Sequence, residues 1–182
     1  VRLVGSEMCI RDSLKGVANL QELDLPTQIT DAGLVHLKGL TNLQTVELSS
    51  TEITDTGLVH LAGLTELRML GLNDTKVTDT GLANLAGLTE LETLGLGETQ
   101  ITDAGLVHLK NLTRLEWLSL GFSQITVTGL ENLKELTNLR TLVLHVTQIS
   151  DAGLEHFMHL KNLRMLALAQ TNVTDAGVAD LQ

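Results

Sequence analysis

From Leu43 onward the pattern L-x-x-[LV]-x-L returns at Leu67, Leu91, Leu115, Leu139 and Leu163, each copy 24 residues after the one before. An interval so constant means that one supersecondary unit is stacked many times, each unit touching only its neighbours. An earlier copy opens at Leu20 and is one residue short, because Asp24-Leu25-Pro26-Thr27 replaces the longer Glu47-Leu48-Ser49-Ser50-Thr51 of the next copy. The chain's only proline sits there. Its fixed φ and missing N–H suit an irregular exit from a strand.

Inside each unit the apolar period changes. Leu67, Leu70 and Leu72 flank a short strand, Val77 carries the chain across, and Leu82, Leu85 and Leu88 then recur every three residues, which predicts a short helical or 3₁₀ segment. A single unit cannot stand alone: about seven buried aliphatic side chains contribute roughly 1.5 to 3 kcal/mol apiece, while ordering the backbone costs roughly 1 to 2 kcal/mol per residue. Stacked units bury one another's open faces, so the expected product is a curved array with a parallel sheet along its concave side.

Two polar positions repeat with the leucines. T-D-x-G, as in Thr54-Asp55-Thr56-Gly57 and Thr102-Asp103-Ala104-Gly105, marks the start of the helical half in most units. The threonine is expected to cap free N–H groups and the aspartate to face the positive end of the helix dipole. The ninth place holds Thr51, Thr75, Thr99, Ser123, Thr147 and Thr171. A row of hydroxyls there is expected to satisfy backbone groups left exposed where each strand turns away.

With I-T-D-x-G-L-x-x-L following, residues 14 to 182 resemble the leucine-rich-repeat family, with hydroxyls where its L-x-x-L-x-L-x-x-N/C pattern has asparagine or cysteine. They are most similar to the cysteine-containing, F-box-associated type and to threonine-bearing bacterial repeat proteins. The resemblance implies an α/β fold: a right-handed, curved leucine-rich-repeat solenoid, parallel sheet on the concave face and short helices on the convex face. It further implies a protein-binding module of a larger bacterial protein. The alternatives are the substrate-recognition arm of an F-box-type ubiquitin-ligase adaptor and the non-catalytic arm of a larger enzyme.

Residues 3 to 13, Leu-Val-Gly-Ser-Glu-Met-Cys-Ile-Arg-Asp-Ser, resemble a transposase sequencing adapter translated in frame, so residues 1–13 read as a non-native leader. Leu14 and Val17 match Leu61 and Leu64, which makes 14–19 the tail of a truncated repeat. Seven units follow: 20–42, 43–66, 67–90, 91–114, 115–138, 139–162 and 163–182. The last stops at Leu181-Gln182 without a recognisable cap, and truncation is expected at both ends. Discounting the leader removes Cys9, the only cysteine, and with it any thiol, disulfide or zinc–cysteine chemistry.

The formal net charge of −10 disfavours nucleic acid, whose binding depends on Lys and Arg neutralising phosphates. The acidity is uneven: residues 14–98 carry 12 acidic and 4 basic side chains, whereas residues 99–182 carry 8 and 6. A basic partner at the N-terminal half is one reading of this, and a solvated acidic surface is the other. No apolar run approaches the roughly 20 residues of a membrane span. A monomer is expected.

Recognition is expected on outward-facing strand positions, because the inward leucines fill the core. The third and fifth places read Thr45 and Glu47, Met69 and Gly71, Thr93 and Gly95, Trp117 and Ser119, Thr141 and Val143, Met165 and Ala167. Most are small until Trp117. Phe122 follows in the same unit, and Val143, His145 and Val146 in the next. Large apolar side chains on exposed rungs point to a covered surface, so Trp117, Phe122, Val143, His145, Val146, Met69 and Met165 are the candidate partner-binding residues. The alternative is that Trp117 and Phe122 pack on each other and shield the sheet.

Other columns carry less. Asp31, Asp55, Asp79, Asp103, Asp151 and Asp175 would suit calcium only if several oxygens converged, and Val127 interrupts them. His36, His60, His108 and His156 form a straight ladder rather than a tetrahedral set, although His156 and His159 lie one turn apart. Gly95 and Gly97 mimic half of a phosphate loop but sit on a repeat strand whose neighbours carry Gly71 and Gly121. No P-loop, G-x-S-x-G or H-E-x-x-H signature occurs. The expectation is a binding module with no catalytic residue, metal or cofactor.

Overall fold

The computed structural model describes residues 19–180. The expected leader with Cys9, residues 14–18 of the truncated tail, and Leu181-Gln182 lie outside the described residues.

Seven three-residue strands, β1 (Glu22–Asp24), β2 (Thr45–Glu47), β3 (Met69–Gly71), β4 (Thr93–Gly95), β5 (Trp117–Ser119), β6 (Thr141–Val143) and β7 (Met165–Ala167), form one parallel sheet in chain order. Each strand meets the next at the equivalent repeat position, so Leu23, Val46, Leu70, Leu94, Leu118, Leu142 and Leu166 align in a single row. That row points into the core. Leu70, Leu94 and Leu118 are fully buried, together with the leucines of the helical halves such as Leu82, Leu85 and Leu88. Among the described residues β7 pairs with β6 alone, and Leu163, Leu166, Leu168 and Val173 of its unit are partly buried.

The return segments mix single turns of α-helix and 3₁₀ helix: α then 3₁₀ in Asp79–Leu82 and Ala83–Leu85, 3₁₀ alone in Gly105–Leu109, and 3₁₀ then α in Asp151–Gly153 and Leu154–Phe157. Three residues per turn in 3₁₀ geometry places leucines spaced by three on one side, which is why that period appears in the sequence. In the shortened first unit, Ile29 N–H closes a turn onto the Pro26 carbonyl at 3.0 Å.

The ninth-place hydroxyls are buried, apart from the half-buried Thr171 of the last unit, and each serves its own unit. Thr51 Oγ1 donates to the Leu48 carbonyl at 2.6 Å, and Thr75, Thr99, Ser123, Thr147 and Thr171 repeat the bond. The residue before each hydroxyl is left-handed: Ser50, Asp74, Glu98, Phe122, Val146 and Gln170 have φ between 53° and 58°. The hydroxyl thus pins a tight turn that bends the chain away from the sheet.

T-D-x-G does more than cap. Thr54, Thr78 and Thr126 accept the N–H two residues on, as capping requires. The aspartate, however, reaches into the following unit rather than serving only its own helix. Asp31 Oδ1 accepts Thr54 N–H at 2.9 Å and Asp31 Oδ2 accepts the Thr54 hydroxyl at 2.5 Å. Asp55 holds Thr78, Asp79 holds Thr102, Asp103 holds Thr126 and Asp151 holds Thr174 in the same way.

The glycine of the motif belongs to this clamp. A Cβ at Gly57, Gly81, Gly105, Gly129 or Gly177 would collide with the clamping carboxylate of the preceding unit. Val127 breaks the series: beside Gly153 stand the Val127, Leu130 and Ile149 side chains, and Ser150 has no side-chain cap bond.

Candidate binding surface

The outward face of the sheet is built from third- and fifth-place side chains, and its relief is set by glycine. At Gly71 the Glu47 side chain of the preceding strand lies across the backbone, and at Gly95 the Asn73 amide does so. These outward-facing fifth places are covered by their neighbours. Glu47 Oε1 accepts Ser49 N–H at 2.9 Å, Asn73 Nδ2 donates to Ser49 Oγ at 3.3 Å, and Asn73 Oδ1 accepts Gly97 N–H at 2.9 Å. A fixed polar row therefore runs from β2 to beyond β4.

Beside that row the small residues leave a hollow of about 380 Å³, lined by Glu47, Met69, Gly71, Asn73, Thr93, Gly95 and Trp117, with Leu70 beneath. Met69 and Trp117 both occupy third places and stand on either side of Thr93, so two rungs separate them, roughly 10 Å at the usual strand spacing. Met69 is 39% exposed and Trp117 half-buried. The sheet thus carries a preformed groove with apolar sides and a carboxylate at its N-terminal end.

The remaining candidate residues gather elsewhere. Phe122, 49% exposed, pairs edge-to-face with His145 at 5.0 Å between ring centroids. Its ring partner is His145 and not Trp117, which corrects the alternative in which the two large aromatics shield each other. The reason is backbone geometry: Trp117 stands on β5, whereas Phe122 lies past the strand at the left-handed turn, φ 56°. His145 lies across Gly121, and Val146, next in sequence, holds φ 55°. A β-branched residue in that conformation is a true outlier. Val143 pairs with Ser119 and Ala167, and Met165, 55% exposed, stands two rungs beyond Trp117. Neither lines the groove.

The model of the family described as Leucine rich repeat matches residues 113–173, and a second of that description matches residues 39–62. The crystal structure of an internalin C2 from Listeria monocytogenes is similar to this chain at 30% identity and a TM-score of 0.69, covering 94% of this chain and 80% of that one. The chain belongs to the leucine-rich-repeat family. An internalin F from the same organism is similar at 26% identity and a TM-score of 0.57, with 93% of this chain and 61% of that one covered. A search of curated proteins finds no match.

As a leucine-rich-repeat module this is a protein-binding scaffold, and its other columns are structural in geometry. Asp31, Asp55, Asp79, Asp103 and Asp151 spend their oxygens on threonines of the next unit. Asn84 and Asn132, which interrupt the histidine column, donate to the Gly81 and Gly129 carbonyls. Among the described residues no three His, Cys, Asp or Glu side chains are placed to hold a metal, and no helix is long and apolar enough to cross a membrane. Sequence reasoning found Met69 and Trp117 but missed Glu47 and Asn73 as groove residues. The available signal was the pairing of a long polar side chain with a glycine one repeat later: Glu47 with Gly71, and Asn73 with Gly97.

Proposed function

We propose that the outward face of the sheet binds a protein or peptide partner across the groove between Met69 and Trp117, with Phe122, Val143, His145, Val146 and Met165 as its C-terminal flank. The observation that carries this reading is the groove itself: a preformed hollow bounded by the chain's only tryptophan on rigid strands. Such a feature suits recognition because aromatic anchors that become desolvated on binding dominate binding energies, and regular elements hold them in place. The reading is of a monomeric bacterial binder without catalytic activity. The internalin neighbours support the bacterial origin, and the acidic surface disfavours nucleic acid as partner.

Peptide display on the full chain tests it. Selected peptides are expected to lose about tenfold in affinity when Trp117→Ala replaces the wild type at an unchanged melting temperature. Peptides that bind both proteins equally place recognition elsewhere and end the proposal.

A further inference from the structure

Charge around the groove narrows the kind of partner it fits. From Glu22 to Gln170, places three to eight of the units, which form the sheet face and its exit turns, contain no lysine or arginine. They do contain Glu22, Asp24, Glu47, Asp74 and Glu98, all in the units of β1 to β4. Elsewhere four glutamates are neutralised across one repeat. Arg68 pairs with Glu92 and Arg140 with Glu116, each at 3.0 Å, while Lys76 pairs with Glu52 and Arg114 with Glu90.

No such ion pair reaches Glu47, Asp74 or Glu98 among the described residues. Asp74 and Glu98 hold equivalent turn positions on adjacent rungs, at φ 53° and 57°, about 5 Å apart along the sheet. Like charges so placed repel each other. Glu47 is fixed by its bond from Ser49 and lines the same groove as Met69 and Trp117.

We propose that the groove takes an extended, basic segment of a partner protein. One Lys or Arg meets Glu47, an aliphatic side chain seats between Met69 and Trp117, and a second cation meets Asp74 and Glu98 at the rim. The groove spans β2 to β5, three rung spacings or about 14 Å, which matches roughly four to five extended residues. Alternate side chains of such a segment face the sheet, so its cations and its aliphatic side chain fall at every second position. This deepens the reading that the sheet face binds protein and rests on it.

The test follows emission from Trp117, the only tryptophan in a chain without tyrosine. The probe is a nine-residue peptide of alternating Lys and Leu separated by serines, compared with versions carrying Glu for Lys and Ser for Leu. The lysine–leucine peptide is expected to shift the emission saturably and the glutamate version to leave it unchanged. Glu47→Gln, and separately Asp74→Asn with Glu98→Gln on the exposed rim, should each weaken binding by about fivefold or more. Glu135→Gln, which removes the same charge from an exposed position in the helical half, should change it by less than about twofold.

Equal binding of lysine and glutamate peptides, equal losses in Glu47→Gln and Glu135→Gln, or binding of spermine as tight as that of the peptide would each overturn the proposal. If neutral or acidic peptides bind and require Trp117, the sheet face remains a protein-binding surface and only its basic preference fails. If no peptide class perturbs Trp117, both readings fail. Unchanged circular dichroism in every variant separates lost contacts from lost folding.

Discussion

The carboxylate of Asp55 holds Thr78 of the following repeat by two bonds, accepting its N–H at 2.8 Å and its hydroxyl at 2.6 Å. The same hydroxyl accepts Thr80 N–H at 3.3 Å, so one relay joins two units and caps a helix. Hydrogen bonds to an ionised group contribute roughly 1.5 to 3 kcal/mol, and partial exposure reduces this. Asp55→Ala is expected to lower stability by about 1 to 2 kcal/mol in urea unfolding. An unchanged midpoint would refute the clamp as a stabilising element.

Gly81 and Gly63 give opposite responses to the same substitution. Gly81 has ordinary helical geometry, and alanine there would by propensity alone favour the helix by up to about 1 kcal/mol. Its Cβ would instead drive the Asp55 carboxylate off Thr78, whereas a Cβ at Gly63 meets nothing within 4 Å. Gly81→Ala should destabilise by about 1 to 3 kcal/mol, and Gly63→Ala should be neutral or mildly stabilising. Thermal melts of the two variants side by side decide it, and a stabilised Gly81→Ala would contradict the geometry.

The one interrupted clamp is open to repair. Ser150 has the extended backbone of its counterparts, φ −122° and ψ 179°, and Gly153 retains the space next to it. Val127→Asp should supply both missing bonds and place an acid in the first turn of the Val127–Leu130 helix, adding about 0.5 to 1.5 kcal/mol. Amide exchange at Ser150 should slow in the variant. If exchange there stays as in the wild type, the joint is not limited by the missing carboxylate.

Acid should loosen the array through the clamps at its two ends. Burial alone would raise the Asp31 carboxyl, but the hydrogen bonds from Thr54, Thr56 and Gly57 outweigh it and hold its pKa below the usual value. The backbone and hydroxyl bonds from Thr174 lower that of Asp151. A depressed folded-state pKa contributes stability that is complete above the unfolded value, about 3.9, and is lost as pH falls through the folded one. Asp31→Asn should therefore cost stability at pH 6, and the gap to the wild type should close below about pH 4. A gap that persists unchanged at pH 2 would assign the effect to packing.

The stacking direction, the inward leucines and the 3₁₀ period were all readable because each depends on residues close in sequence. Val46 and Leu70 alternate with outward neighbours whatever the next unit contains. The Asp31–Thr54 clamp was hidden because its partners are 23 residues apart, and capping within one unit accounts for the same two residue types. Trp117 stood out by size alone. The groove beside it did not, since its shape arises where Glu47 and Asn73 fold across glycines of the following strand. Phe122 was grouped with Trp117 because their separation depends on a left-handed turn that aromatic residues rarely adopt.

Because Glu47 lies over Gly71 and Asn73 over Gly95, what a visitor touches at one strand is inherited from the strand before it. Specificity on this face is thus written in overlapping pairs, a long side chain and the bare backbone it leans on. Redesigning the groove one rung at a time would misread that script: a larger residue at position 71 would meet Glu47 before it met any ligand. The editable letter is Glu47, and Gly71 is the page.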